Sequence, residues 1–419
     1  MKVRLTLRPS PSSRALFCIA VAALVAGGQA VGAETVYTTD LETNPFASGW
    51  TVNWGAAPTS DNFWTDATAR SGSHCITGGG DTWASTTFAV QPMEYYSVQF
   101  YSKANTAGQY GMIGNDTLTY RASSQWVLNE GVSRTGLGAT VDRVWFFPTS
   151  APPAYFDDLT VRHISSQEAA QQLDKNYAAM QQFDFAALAG PEDRHANIPR
   201  TMQALTTGGT MNVVLLGDSI MSNTSNSLFE TLVERMYPGS RMNVTASWAG
   251  STGCWWYKEE GRVQSYVLDY DPDLVMIGGI GNFDDIDSIR EVITQIRAGK
   301  GDCDILLMTG LAGSAMSPYV HPEFMLPIDP NGQDYRAALW RLAEEQGVGF
   351  VDMTRPWMEY IASTGRAYDE FLKDGVHCNT DGITIIGRIL EAYFESAPEP
   401  STAAILLLGV ALLRRRPNR

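Results

Sequence analysis

Val213-Val214-Leu215-Leu216-Gly217-Asp218-Ser219-Ile220 is the stretch on which the organisation of the chain turns. A short, β-branched apolar run meets glycine and stops. Such a run, bounded by a breaker, reads as a parallel strand buried on both faces. A serine just beyond it lies at the carboxyl end of the strand, where open α/β sheets gather their ligands. Ser219 then has two readings. It is a nucleophile, or it is the N-cap of the next helix, a common role for serine. The first reading requires a base, a group that orients the base, and donors for an oxyanion.

Downstream, strand and helix patterns alternate from Met211 to about Ser396. Strands are expected at 213–216, 242–246, 274–277, 305–308 and 349–351. Helices are expected at 228–236, 286–297, 335–346 and 383–394. Repeated βα units imply a doubly wound parallel sheet covered by helices on both faces. The 211–396 span is long enough for one core.

The polar, glycine-rich run Lys373-Asp374-Gly375-Val376-His377-Cys378-Asn379-Thr380-Asp381-Gly382 precedes the last apolar helix and reads as a loop. Three residues separate Asp374 from His377. That spacing lets the carboxylate accept from Nδ1 and leaves Nε2 to take a proton from a serine. The other reading is a local turn with a surface histidine. Beyond His377 the chain holds only His74, His163, His195 and His321, and none has so well placed a carboxylate. Two further glycine-rich segments follow strands: Trp248-Ala249-Gly250-Ser251-Thr252-Gly253 and Gly278-Gly279-Ile280-Gly281-Asn282-Phe283-Asp284. Each is either an ordinary βα loop or a source of backbone and amide donors.

In this order the four segments resemble the SGNH hydrolase, or GDSL-type esterase, superfamily. Its Gly-Asp-Ser block is matched by Gly217-Asp218-Ser219, its glycine block by Gly250, its asparagine block by Asn282, and its Asp-x-x-His block by Asp374 and His377. The resemblance covers 211–396. It implies a three-layer α/β/α fold and an esterase working through an acyl-enzyme. Ser219, His377 and Asp374 would be catalytic, with Ser219, Gly250 and Asn282 around the oxyanion. No metal and no organic cofactor are implied. Two departures stand out. The family's Gly-x-Asn-Asp has Ile280 two before Asn282, and Phe283 replaces the acidic neighbour. Cys254 and Cys378 each adjoin a site segment. They read either as a disulfide across the site or as free buried thiols. The acidic run Asp269-Tyr270-Asp271-Pro272-Asp273 reads as a solvated loop or a Ca²⁺ loop.

Residues 34–164 differ in character. Alternating runs such as Tyr96, Val98 and Phe100, separated by glycine-rich turns, imply an antiparallel, jelly-roll-like β-sandwich. The run Ala154–Val161 resembles the last strand of jelly-roll carbohydrate-binding modules. Trp50, Trp54, Trp64, Trp83, Trp126 and Trp145 fall here. Each either fills the core or offers a face to a sugar ring. Residues 165–210 read as a connector with a helix over 167–185.

Both ends read as addresses. Residues 1–33 carry four basic residues, an apolar core and a small-residue site after Ala33, the pattern of a signal peptide. Residues 397–419 carry Pro-Glu-Pro, a short apolar run and an arginine cluster. They form a short membrane anchor, or, by resemblance, a PEP-CTERM sorting segment removed by an exosortase-type protease after transient membrane contact. The formal net charge is -15, of which the leader and the tail contribute +4 and +3, leaving -22 on residues 34–397. So acidic a chain does not bind nucleic acid. The expectation is an exported bacterial surface or matrix esterase acting on acylated carbohydrate or small esters. The alternative is a surface glycan-binding protein with an inactive SGNH-like domain.

Overall fold

The computed structural model describes residues 33–52, 63–66, 68–78, 84–112, 115–147, 154–311 and 317–396. The leader up to residue 32, the tail 397–419, Trp54 and Trp83 lie outside them.

Among the described residues, eleven strands form two antiparallel sheets. In chain order they are β1 (Glu34–Thr39), β2 (Thr51–Val52), β3 (Trp64–Thr65), β4 (Cys75–Gly78), β5 (Ala84–Ala89), β6 (Tyr95–Ala104), β7 (Gly108–Met112), β8 (Asn115–Tyr120), β9 (Ser123–Arg134), β10 (Val141–Phe147) and β11 (Ala154–Ile164). One sheet runs β3-β4-β11-β6-β9 with β1 also on β11, and the other β2-β5-β10-β7-β8. Period-two alternation turns Val98 and Phe100 of β6 inward, both fully buried. They meet the inner face of the second sheet, where Phe146 stacks on Phe156 at 4.5 Å and on Trp50 at 6.2 Å. Trp50 thus belongs to this core, and Trp145, although outside it, is also buried. Trp64 is half-buried against His74, and Trp126 is half-buried too.

The connector helix α1 (Ser166–Ala178) starts on a capping box of Ser165 and Glu168. It stops well short of the expected 185. Phe183 and Phe185 both pack on Tyr360, and residues two apart on a helix cannot share one face. A second helix, α2 (Pro199–Thr207), was not anticipated, although Pro199 at its first turn and Gly208 in the left-handed cap mark its ends.

The α/β part has the expected class. Strands β12 (Thr210–Gly217), β13 (Arg241–Trp248), β14 (Leu274–Ile277), β15 (Asp304–Met308) and β16 (Gly349–Val351) form a parallel sheet in the order β13-β12-β14-β15-β16. The order reverses beside β12, so a crevice opens between the carboxyl ends of β12 and β14. Alternation divides β12 between two cores. Val213 and Leu215 face helices α3 (Ile220–Asn226), α4 (Phe229–Met236), α9 (Thr354–Thr364) and α10 (Thr380–Phe394). Val214 and Leu216 face α5 (Cys254–Tyr257), α6 (Arg262–Tyr266), α7 (Ile286–Gly299) and α8 (Tyr335–Gln346).

This division corrects the disulfide expectation. Cys254 sits in the second core and Cys378 in the first, on opposite faces of the sheet, and both thiols are free. Burial pushes both thiol pKa values well above the usual range. The acidic run before β14 is engaged by the protein itself. Asp273 accepts from the Asn212 backbone N–H, and Asp271 pairs with Lys300.

The two parts meet through a buried ionic cluster. Arg134 of β9 lies 3.7 Å from Glu230 and 3.5 Å from Glu234, both on α4, and its guanidinium also donates to the Met242 carbonyl. Burial pushes the Glu230 carboxyl up to about 7 despite the guanidinium beside it.

Candidate active site

Ser219 occupies the N-cap position of α3, but its hydroxyl makes no capping bond. Its Oγ lies 2.8 Å from His377 Nε2 instead. The other ring nitrogen, Nδ1, is 2.9 Å from Asp374 Oδ2 and 3.1 Å from Oδ1. The structure therefore brings Ser219, His377 and Asp374 into one chain of hydrogen bonds across 158 residues of sequence. Asp374 also accepts from the backbone N–H groups of His377 at 2.7 Å and Val376 at 2.8 Å. Partial burial raises its carboxyl pKa, but these donors outweigh that and hold it below the ordinary value. The carboxylate is thus ionised, as an orienting group must be.

Local contacts fix each partner. Asp218, buried behind Ser219, takes the Ile220 N–H on Oδ1 at 2.9 Å and the Ile280 N–H on Oδ2 at 2.8 Å. Burial raises its pKa against the pull of those two bonds. Asp218 thereby ties the turn after β12 to the loop after β14. Gly217 permits the approach, since a Cβ there would lie 2.2 Å from the Gly278 carbonyl oxygen. Tyr257 closes the back by donating to the Gly217 carbonyl at 2.6 Å. The His377 loop is a tight reversal in which Lys373 N–H donates to the His377 carbonyl at 2.9 Å. Asn223, fully buried one turn after Ser219, accepts the Cys378 N–H at 3.0 Å. Sequence reading passed over Asn223, although its i+4 spacing from Ser219 puts it on the same helix face.

Gly250 and Asn282 lie on the neighbouring loops. Gly250 is exposed and lies two residues past the end of β13. Asn282 lines an open cleft of about 370 Å³ together with Asp218, Ser251, Thr252 and Phe283. Its side chain is already committed in part. The carbonyl accepts from Cys254 N–H and the amide donates to the Asp285 carbonyl at 2.9 Å. The amide has two hydrogens, and one of them is left over from this bond. Asn282, Phe283 and Asp284 all have left-handed φ, at 51°, 51° and 58°. Each such non-glycine residue costs about 1–3 kcal/mol, and such strain concentrates at functional sites. Among the described residues, no group of three or more His, Cys, Asp or Glu is placed to hold a metal.

This arrangement can perform nucleophilic acyl transfer: a half-buried hydroxyl, a base in contact with it, and an ionised group behind the base. Residues 215–385 match the family model of the GDSL-like lipase/acylhydrolase family. No curated protein matches the chain significantly. Similar solved structures include a two-domain esterase (CEX) active on acetylated mannans, 16% identical with a TM-score of 0.38, covering 49% of this chain and 55% of that chain. A family two carbohydrate esterase from Clostridium thermocellum is 10% identical with a TM-score of 0.29, covering 82% and 97%. The CBM22-1 xylan-binding domain from Paenibacillus barcinonensis Xyn10C is 13% identical with a TM-score of 0.26, covering 32% and 96%. The chain spans about half the length of the acetylated-mannan esterase it matches. The family match falls on the same span that carries Ser219, Asn282, Asp374 and His377, and residues 215–385 are a GDSL-like lipase/acylhydrolase domain.

Proposed function

We propose that the protein is an exported serine esterase that removes acyl groups, acetyl above all, from polysaccharide. The observation that carries this reading is the contact of Ser219 Oγ with His377 Nε2 at 2.8 Å, backed by Asp374 at 2.9 Å. Ser219 attacks the ester carbonyl while His377 takes its proton. Asp374 holds the ring so that Nε2 faces the serine and stabilises the imidazolium that forms. The Ser219 and Gly250 backbone N–H groups and the free Asn282 amide hydrogen receive the oxyanion. Each such donor contributes about 3–4 kcal/mol to the transition state. Collapse of the tetrahedral intermediate breaks the bond to the leaving alkoxide, which His377 protonates. Water, deprotonated by His377, then hydrolyses the acyl-enzyme.

In this reading 34–164 is a carbohydrate-binding sandwich, 165–210 a connector and 211–396 the catalytic domain. Residues 1–33 direct export, and 397–419 are released by an exosortase-type protease at the cell surface. The charge of -22 on residues 34–397 favours neutral over anionic glycans. The test is release of 4-nitrophenol from its acetate ester. Turnover by the wild type and none by Ser219→Ala is expected. Equal rates would leave a glycan-binding protein with an inactive hydrolase domain.

A further inference from the structure

Phe283 stands where the family pattern has an acidic residue, and the residue is 81% exposed. Exposure of one apolar residue is ordinary on a surface. Exposure enforced by strained backbone is not. Phe283 is the middle of the three left-handed residues at 282–284, a conformation that persists only where surrounding contacts impose it. Those contacts are the two bonds of the Asn282 side chain, to Cys254 N–H and to the Asp285 carbonyl. They need Gly253, where a Cβ would lie 2.2 Å from Asn282 Oδ1. The outcome is a fixed aromatic pair. Trp255, next to Cys254, lies 6.1 Å from Phe283 with its ring tilted by 47°. Phe283 forms one wall of the cleft that also contains Asp218, the residue before Ser219. Ile280 is the other large apolar group lining that cleft, and Ser251, Thr252, Asn282 and Asp284 supply hydroxyl, amide and carboxylate groups.

We propose that Phe283 is the platform on which a sugar ring of the leaving glycan stacks, making it the residue that selects neutral acylated carbohydrate. A pyranose presents an apolar C–H face and a rim of hydroxyls, matching one aromatic face bordered by polar groups. The Asp284 carboxylate in the same cleft disfavours anionic sugars. This inference rests on the esterase reading of Ser219.

The experiment measures acetate release from acetylated xylo-oligosaccharides and acetylated glucomannan by the full chain. Phe283→Ala is expected to raise KM about tenfold with kcat within about twofold, the scale of one lost aromatic contact. Phe283→Leu should behave like alanine, because it keeps bulk and loses the aromatic face. Phe283→Tyr and Phe283→Trp should restore KM. Thermal melts of the four variants confirm folding. Four results overturn the proposal: an unchanged KM in Phe283→Ala; a wild-type KM in Phe283→Leu; a larger KM increase for 4-nitrophenyl octanoate than for the oligosaccharides; or no acetate release from either glycan by a wild type that hydrolyses 4-nitrophenyl acetate. Equal hydrolysis of 4-nitrophenyl acetate by wild type and Ser219→Ala would instead remove the esterase reading itself.

Discussion

Replacing Asn223 with alanine should slow turnover far more than it destabilises the fold. Asn223 follows Ser219 by one turn of α3 and accepts the Cys378 N–H at 3.0 Å in a fully buried setting. It is the tie between the helix that begins at Ser219 and the loop that carries His377. Without it the buried Cys378 N–H loses its partner, which costs about 1–3 kcal/mol. Part of that cost is offset, because Asn223 Nδ2 is itself buried with no partner among the described residues and disappears with the side chain. A net loss near 1 kcal/mol is therefore expected in a urea melt. The loop can recover the lost bond only by moving, and His377 adjoins Cys378. A displacement of about 1 Å at a reacting pair costs about a hundredfold in rate, equivalent to about 2.7 kcal/mol of barrier. The assay is 4-nitrophenyl acetate hydrolysis, with kcat and KM separated and denaturation followed on the same preparation. The expected result is kcat down about a hundredfold with KM nearly unchanged. A variant whose kcat stays within about threefold of wild type while its melt shifts would refute the positioning argument.

Asp374→Asn should lower kcat by about a thousandfold or more, because an amide facing Nδ1 favours the tautomer whose Nε2 already bears a proton; a loss under tenfold would show that His377 is oriented by its backbone alone. Thiol titration of the denatured, unreduced mature chain should count four thiols, from Cys75, Cys254, Cys303 and Cys378; two would restore a disulfide. Glu230→Gln should alter the pH dependence of stability. The folded state holds the Glu230 proton up to about 7, whereas the unfolded chain releases it near the ordinary 4.5. Folding is therefore most favoured below 4.5 on this account and loses that advantage as pH rises to 7. The variant lacks the titration, so its melting temperature should exceed that of wild type at pH 8 and the gap should close towards pH 4.5. A gap independent of pH would contradict it.

Much of the α/β part was legible because its pattern is local. A strand buried on both faces must be apolar throughout, so 274–277 and 349–351 could be bounded to the residue. The helix at 335–346 showed equally clearly, between a capping aspartate and a left-handed glycine. The sandwich strands showed through alternation alone. Connector helices were harder. The end of α1 depends on Phe183 and Phe185 reaching Tyr360, nearly 180 residues away, and no window of sequence contains that contact.

The site divides along the same line. The residue types and order of Gly217-Asp218-Ser219 and Asp374-x-x-His377 pointed to Ser219, His377 and Asp374 as candidates for nucleophile, base and orienting carboxylate, because the chemistry restricts which side chains can serve. Sequence by itself also determined the class of the fold and the acidity of the chain. Only the tertiary structure decided that the Ser219 hydroxyl turns to His377 and does not cap α3, and that Asn282 bridges two loops with one amide hydrogen to spare. It alone decided that Cys254 and Cys378, each beside a site segment in the chain, lie on opposite faces of the sheet. The physical reason is that periodicity and residue chemistry are carried by neighbours in sequence. The face a side chain occupies beyond its own strand, and the partner it finds there, are set by how distant loops pack around the end of the sheet.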